Sequence, residues 1–391
     1  MEKTPLCSEC ARRLFSRAEI CGASSGNGCF ICQGALSSIS SLVESALSQA
    51  GAFEWGTFSV SSSFSRAMLM REAEVATGLV PGEFTSLKND ANARLSERIA
   101  AASGKKNDQR SADASFEFDF TAKKAIARPM QLYIHGHYVK LARGFCQSRW
   151  HCSECGGKGS GAPAAGGGKG AACPSCSGSG MNYPSVEEEI GRALMAAFGA
   201  SGCTLHASGR EDVDVRCLGN GRPFVMELAA PKKRMADLRA IERGLGKNEN
   251  VRAVGLCFVR KGFIDSVCNS HFEKEYEAVV SADRPLTAAD AKKLAALSGT
   301  ALGQHTPTRV LARRSDMLRE RTVYKISAQP IEGGKLRLRI LAEAGTYIKE
   351  FIHSDAGRTK PSVSSALSCR AACDSLDVVA IHDYFLETVK D

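Results

Sequence analysis

Apolar positions change period several times along the chain, and each change marks an element. Leu36, Ile39, Leu42, Val43 and Leu47 in ALSSISSLVESALSQA recur at three- and four-residue steps, the spacing of one helix face. FEWGTFSVSSSF reads as a strand and TSLKNDANARLSERIAAA as a helix. SFEFDFTA and MQLYIHGHYVKL alternate with period two, as half-buried strands do, and the polar GKKNDQRSAD is a loop. PSVEEEIGRALMAAFGA predicts a helix with Ile190, Leu194, Ala197 and Phe198 on one face and a Ser185–Glu188 capping box at its start. RPFVMEL, VRAVGLCFVR, KEYEAVVSA and KLRLRILAEAGTYIKEFI predict strands, and TAADAKKLAALSG a short helix capped by Thr287. This mixture places the chain in the α+β class, with a mixed, largely antiparallel sheet rather than a parallel doubly wound one. The pattern changes near residue 180, the expected domain boundary.

At 391 residues the chain has room for two or three domains. No apolar run is long enough to span a bilayer. MEKTPLCSECARRLFSRAEI carries no apolar stretch like that of a signal peptide, so the expected location is the cytoplasm. The net charge of +9 suits a polyanionic partner and also plain solubility, so alone it decides nothing.

Sixteen cysteines change the picture. In a reducing cytosol that number points to thiolate–metal chemistry rather than disulfides. Cys7-x-x-Cys10 is followed after eighteen residues by Cys29-x-x-Cys32, and Cys152-x-x-Cys155 after seventeen by Cys173-x-x-Cys176. A two-residue gap turns both sulfurs of a pair toward one ion, and the second pair closes a tetrahedron. Two zinc ions are expected, both structural, because four thiolates leave no open coordination position. GGKGSGAPAAGGGKGAA, inserted between the central pairs, is not a phosphate loop: Gly170 follows Lys169, and Pro163 stands where the first glycine is needed. It reads as a flexible tip on the zinc site. Cys21, Cys146, Cys203, Cys217, Cys257, Cys268, Cys369 and Cys373 lack such pairing and are expected as small core residues.

Three acids, Glu211, Asp212 and Asp214, lie within four residues between Arg210 and Arg216, just ahead of RPFVMEL. As a bare pattern this suits a solvated loop as well as a catalytic one. The chain has no HExxH, no evident Ser/His/Asp set and no phosphate loop. A carboxylate beside arginines suits an enzyme that uses aspartate as nucleophile or base without a cofactor. In an extended segment residues two apart point the same way, so Asp212 and Asp214 can reach one cleft.

Gly209-Arg210-Glu211-Asp212-Val213-Asp214-Val215-Arg216 resembles the active-site motif of pseudouridine synthases, with its arginine–any–aspartate core. KEYEAVV, around Tyr276, resembles the motif whose tyrosine stacks on the target base. AGTYIKEFIHSDAGRTKPS, around Tyr347 and Lys349, resembles the motif with a second aromatic and a basic partner of the aspartate. NGRPFVMELAAPKKR and QHTPTRVLARRSDMLRER extend the likeness, which is close from about residue 185 onward. It is looser through LCSECARR, CFICQGAL and LYIHGHYVKLARGFCQSRW. The family is that of the archaeal and eukaryotic THUMP-containing tRNA pseudouridine synthases. Two departures stand out: His137 where the family has arginine, and Cys146-Gln147-Ser148 where it has Pro-Gln-Thr.

The resemblance implies a zinc-knuckle module at 1–50, a THUMP-like RNA-binding region at 51–150, a central four-cysteine site at 151–180 and a catalytic domain at 181–391. It implies that Asp212 is catalytic, with Lys349 as its cationic partner. Tyr276, Tyr347 and Arg210 would contact the substrate. Lys232, Lys233, Arg234, Arg309, Arg313 and Arg314, with Arg319 and Arg321, would hold phosphates. The resemblance further implies tRNA as the partner, uridine 54 and/or 55 of its T-loop as the target, no cofactor for catalysis beyond the structural zinc, and a monomer. A non-catalytic tRNA-binding protein and another THUMP-bearing tRNA-modifying enzyme are the rival readings.

Overall fold

The computed structural model describes residues 4–13, 21–23, 28–77, 84–160, 171–312 and 314–388. The Gly/Ala-rich stretch at 161–170 and Arg313 lie outside the described residues. The chain forms two compact units, Met1–Leu132 with Ala197–Gly202 and Leu228–Ala236, and Tyr133–Ala196 with Cys203–Glu227 and Asp237–Asp391. The first break along the chain thus falls at Leu132, and the central cysteine set groups with the C-terminal residues.

In the first unit, β1 (Thr4–Leu6) pairs in parallel with β2 (Cys21–Ala23), and α1 (Ser8–Arg12) lies between them in sequence. The helix expected in ALSSISSLVESALSQA forms as α2 (Ile39–Ala50). Next come β3 (Thr57–Ser63), α3 (Arg66–Val75), α4 (Leu87–Ser103), β4 (Lys106–Asn107), β5 (Ala114–Asp119) and β6 (Lys124–Pro129). The strands form one sheet in the order β4-β3-β5-β6, with β3 parallel to both neighbours and β6 antiparallel to β5. Ser86 caps α4 by accepting from the Asn89 amide at 3.2 Å, a contact worth about 1 kcal/mol. Cys10, Leu36 and Leu42 share one buried cluster with Phe58, Leu95 and Phe116, so the N-terminal knuckle has no core of its own.

The second unit opens with β7 (Leu132–Lys140), β8 (Trp150–His151) and β9 (Met181–Tyr183). Helix α5 (Val186–Phe198) has the expected Ser185 cap, Ser185 Oγ accepting from the Glu188 amide at 3.1 Å. The Glu188 carboxylate takes the Ser185 hydroxyl at 2.8 Å rather than the Ser185 backbone amide, so the expected capping box is only half formed. There follow β10 (Gly202–Ala207), β11 (Arg216–Ala229), α6 (Leu238–Leu245), β12 (Val251–Val259), α7 (Phe263–Cys268) and β13 (Lys274–Ala282). Helix α8 (Ala288–Ala295), capped by Thr287 as expected, precedes β14 (Thr300–His305), β15 (Leu318–Ile331) and β16 (Lys335–Ala342). The last elements are α9 (Ile348–His353), β17 (Thr359–Lys360), α10 (Val363–Leu367), β18 (Ala371–Ile381) and α11 (Phe385–Thr388).

One sheet runs β12-β7-β11-β18-β13-β16-β15-β14-β17, with β10 alongside β11. β11 and β18 are parallel, whereas β13 is antiparallel to β16 and β18, and β15 to β14 and β16. The mixed, largely antiparallel sheet is therefore as expected. KLRLRILAEAGTYIKEFI, read as one strand, is a strand and a helix: β16 stops at Ala342, Gly345 turns the chain at φ +83°, and α9 starts after Tyr347. That turn lifts Tyr347 and Lys349 off the sheet onto the first turn of a helix. Among the unpaired cysteines, Cys146, Cys203 and Cys217 are buried as expected, but Cys268 is exposed.

Candidate active site

Asp212 sits in the loop between β10 and β11, and the residue before it anchors that loop from inside. The Glu211 side chain is 1% exposed. It accepts from Arg222 Nε at 2.9 Å and from the Tyr138 hydroxyl at 2.8 Å, with Lys140 Nζ at 3.6 Å. Arg222 also donates to the Ser208 carbonyl at 2.7 Å, and Gln147 donates to the Tyr138 hydroxyl at 2.8 Å and the Gly209 carbonyl at 2.9 Å. Lys140 Nζ donates to the carbonyls of Asp212 and Phe145 at 2.9 and 2.8 Å. Gly209 holds φ +77°, and a Cβ there would stand 3.1 Å from Arg222 Nη1, so only glycine lets the loop close on the guanidinium.

The charges in this network are tied to one another. Burial works against the Arg222 charge, and Glu211 first, with Tyr138, Cys217 and Tyr276, together more than restore it, so its pKa rises. Burial lowers the Lys140 pKa, against the pull of Glu211. Burial foremost, and Glu211 next, hold the Tyr138 hydroxyl protonated. One member of the expected acid cluster is thus an interior anchor, and it fixes its neighbour outward.

Asp212 itself is open, its side chain 36% exposed, and two cations meet it. Arg309 Nη1 donates to Oδ1 at 2.9 Å, and Lys349 Nζ lies 3.2 Å from Oδ2. Lys349 also donates to both Asp214 oxygens at 2.8 Å, so the two acids share one ammonium. Burial raises the Asp214 pKa less than the Lys349 hydrogen bond and charge lower it, leaving it below the usual aspartate range. Lys349 itself is shifted up, because its contacts to Asp214 and Asp212 outweigh burial. Arg309 is braced from behind by Glu350, 2% exposed, which accepts from its Nε at 2.7 Å. Asp355 pins the preceding residue, accepting from the Thr308 amide at 2.9 Å. Arg309, expected on a phosphate, therefore stands on the Asp212 carboxylate. On the other side, Asp377 of β18 binds Arg216 at 2.5 Å and Arg143 at 2.7 Å, and Arg143 donates to the Asp214 carbonyl at 2.6 Å.

The aromatic candidates lie on separate elements. Tyr276, on β13, is 8% exposed. Burial pushes its phenol up to about 12 in spite of the neighbouring Arg222 charge. Tyr347 caps α9 and is clamped by Gln304, whose amide donates to its carbonyl and accepts from its N–H, both at 3.0 Å. Arg210 and Arg314 are exposed. Arg319 donates to Thr306 Oγ1 at 3.0 Å and Arg321 reaches Glu343 at 3.4 Å. Lys232, Lys233 and Arg234 belong to the first unit. Sequence reasoning missed Tyr138, Lys140, Gln147, Arg222 and Glu350, all buried polar side chains serving the Asp212 loop or its arginine.

Each cysteine set brings its four Sγ atoms within 4.8 Å of one another, all from buried residues. In the central set the Gly159 and Gly180 amides donate to Cys155 and Cys176 Sγ at 3.3 and 3.2 Å, contacts that stabilise thiolates. Both donor sets fit a tetrahedral zinc ion. Among the described residues no helix is long and apolar enough to cross a membrane.

The family model described as "Pus10, C-terminal" matches residues 133–382. A tRNA pseudouridine synthase Pus10 of Korarchaeum cryptofilum is 35% identical over 367 residues, covering 91% of this chain and 94% of the relative. The Methanopyrus kandleri protein of that name is 34% identical, covering 91% and 80%. The Pyrococcus furiosus one is 30% identical over 409 residues, covering 98% and 96%.

Proposed function

The chain belongs to the Pus10 family of tRNA pseudouridine synthases, and from that premise we propose that Asp212 converts uridine 54, uridine 55 or both, in the T-loop of tRNA, to pseudouridine. The supporting observation is the Asp212 carboxylate set between Arg309 and Lys349 on a loop anchored by buried Glu211. The reaction exchanges one bond for another within the nucleotide. The C1′–N1 bond breaks, the uracil turns, C5 joins C1′, and the proton lost from C5 is matched by one taken up at N1. No electrons are gained or lost, so the demand on the protein is a placed carboxylate and a base held out of its stack.

Asp212 either attacks C1′ or removes the C2′ proton, and both need a free carboxylate oriented as its contacts with Arg309 and Lys349 hold it. The target base has to be flipped out, and Tyr276 and Tyr347 line its pocket. Arg210, exposed beside Asp212, meets the RNA backbone. Cys7, Cys10, Cys29 and Cys32 hold one zinc ion, and Cys152, Cys155, Cys173 and Cys176 a second. With four thiolates each, these ions serve folding. The test is to incubate the protein with unmodified tRNA transcript and map pseudouridine. Signal at 54 or 55 supports the reading, signal elsewhere overturns the position, and no signal overturns the activity.

A further inference from the structure

In the first unit, the loop ahead of β3 presents a half-buried Trp55. Core aromatics fix its ring edge-on, with centroids of Phe116 at 5.1 Å and Phe58 at 6.0 Å. Lys105 Nζ covers the ring, 3.7 Å from its centroid. A ring held this way has little rotational freedom left to lose on binding.

The neighbouring backbone is fixed as well. The Glu54 amide donates to the Lys232 carbonyl at 2.8 Å, and the Arg234 amide donates to Glu54 Oε2 at 2.8 Å. Arg234 Nη2 pairs with Asp113 at 3.0 Å, and Asp113 accepts from the Gly56 and Thr57 amides at 2.8 and 3.0 Å. Arg234 is thus spent on Asp113, and Glu54 accepts a backbone amide. Lys232 and Lys233 remain exposed, and among the described residues no ion pair engages either.

We infer that this platform binds unpaired nucleotides of the RNA substrate, one base stacking on Trp55 in place of Lys105 and the flanking phosphates meeting Lys105, Lys232 and Lys233. Base–indole stacking is stronger than an exposed cation–π contact, so the exchange runs toward stacking. The displaced ammonium gains a phosphate as it moves. Burial over the ring already lowers the Lys105 pKa, against the pull of Asp113, which marks an ammonium short of water. The inference rests on the reading of the chain as a tRNA-modifying enzyme, but its test reads binding alone.

The chain has two tryptophans, so Trp150→Phe leaves Trp55 as the sole indole reporter. Titrating that variant with unmodified tRNA transcript at fixed low salt should quench Trp55 emission in step with binding. Trp55→Leu should weaken tRNA binding about tenfold. Lys105→Met, which spares the packing of Trp55, should weaken it about threefold and reduce the slope of log Kd against log salt by about one. Saturable binding with unchanged Trp55 emission, unchanged affinity in both variants, or no tRNA binding at all would each overturn the platform. Failure of the catalytic reading, seen as an active Asp212→Asn variant, leaves this titration unchanged, so the two are separable.

Discussion

Lys140 lies beneath Asp212, its fully buried ammonium bonded to the Asp212 backbone carbonyl at 2.9 Å. The proposed catalytic acid is therefore held by its main chain from inside while its carboxylate faces solvent. Lys140→Met strands the carbonyls of Asp212 and Phe145 and leaves Glu211 with less charge to balance it. We expect pseudouridine formation to fall about 10²-fold through misplacement of the carboxylate. Unfolding free energy should fall by about 3 kcal/mol, the scale of a broken buried charge network. Single-turnover kinetics with a urea titration check both, and tRNA affinity should change little.

Asp212→Asn keeps the shape and removes both nucleophile and base. No pseudouridine should be detectable, with tRNA binding at fixed salt little altered. Asp214→Asn should keep substantial activity, because it touches Lys349 without occupying the site between the two cations. Lys349→Met should lose most activity. An active Asp212→Asn beside a dead Asp214→Asn would move the catalytic role two residues along.

Arg309→Met removes the closest cation from Asp212 and strands buried Glu350. Activity should fall at least about tenfold, and stability by about 1–3 kcal/mol from the unpaired carboxylate. Adding Glu350→Gln should restore most of the stability and none of the activity. If the double variant recovered both, Arg309 would matter only for folding.

Lys274 gives a pH signature. Burial foremost, with the nearby Arg222 charge, lowers its pKa to about 8. The unfolded lysine keeps its proton up to about 10.4, so between these values the unfolded state binds more protons and stability rises with pH. At neutral pH the buried ammonium is a cost of about 2–3 kcal/mol. Lys274→Met removes that cost but strands the Phe272 carbonyl, a loss of about 1 kcal/mol. The variant should be the more stable protein near pH 7.5, and its advantage should vanish by about pH 10.4. Urea midpoints of both proteins across this range decide it, and a flat difference would refute the shift.

Natively purified protein should contain about two zinc ions per chain by elemental analysis. Because the first cysteine set shares a core with α2 and α4, Cys10→Ser should unfold the first unit rather than merely drop a metal. Loss of its far-ultraviolet helix signal on chelation, reversed by added zinc, is the expected result.

The elements with strong periodicity were legible in the sequence: α4, α5 and α8, and β5 and β13 with their alternation. Helix α3 was not, since Met68 is the one apolar residue among its buried positions and no stripe forms. β18 was hidden because its burial breaks the period of two. Leu376, Asp377 and Val378 are buried in succession, and Asp377 faces the arginines rather than the core. Spacing and resemblance together found Asp212 and Lys349, which meet. They did not find Arg222, Tyr138 or Lys140, because a buried charge announces itself only through a partner far along the chain. The sole signal was an arginine and a lysine inside otherwise apolar strand patterns. The break at Leu132 was illegible for a related reason: β7 lies early in sequence, yet pairs with β12 of the second unit.

β18 also sets a schedule for synthesis. Among the described residues Arg216 pairs with Asp377, 161 residues later, and β13 is flanked by β18 along most of its length. A nascent chain that has already made the whole Asp212 loop still lacks the strand that closes its far side. Such a sheet cannot be assembled piecemeal as it is translated, and its slow, non-local closure follows the last strand. The loop that carries Asp212 thus stays without its Asp377 brace until β18 has been made.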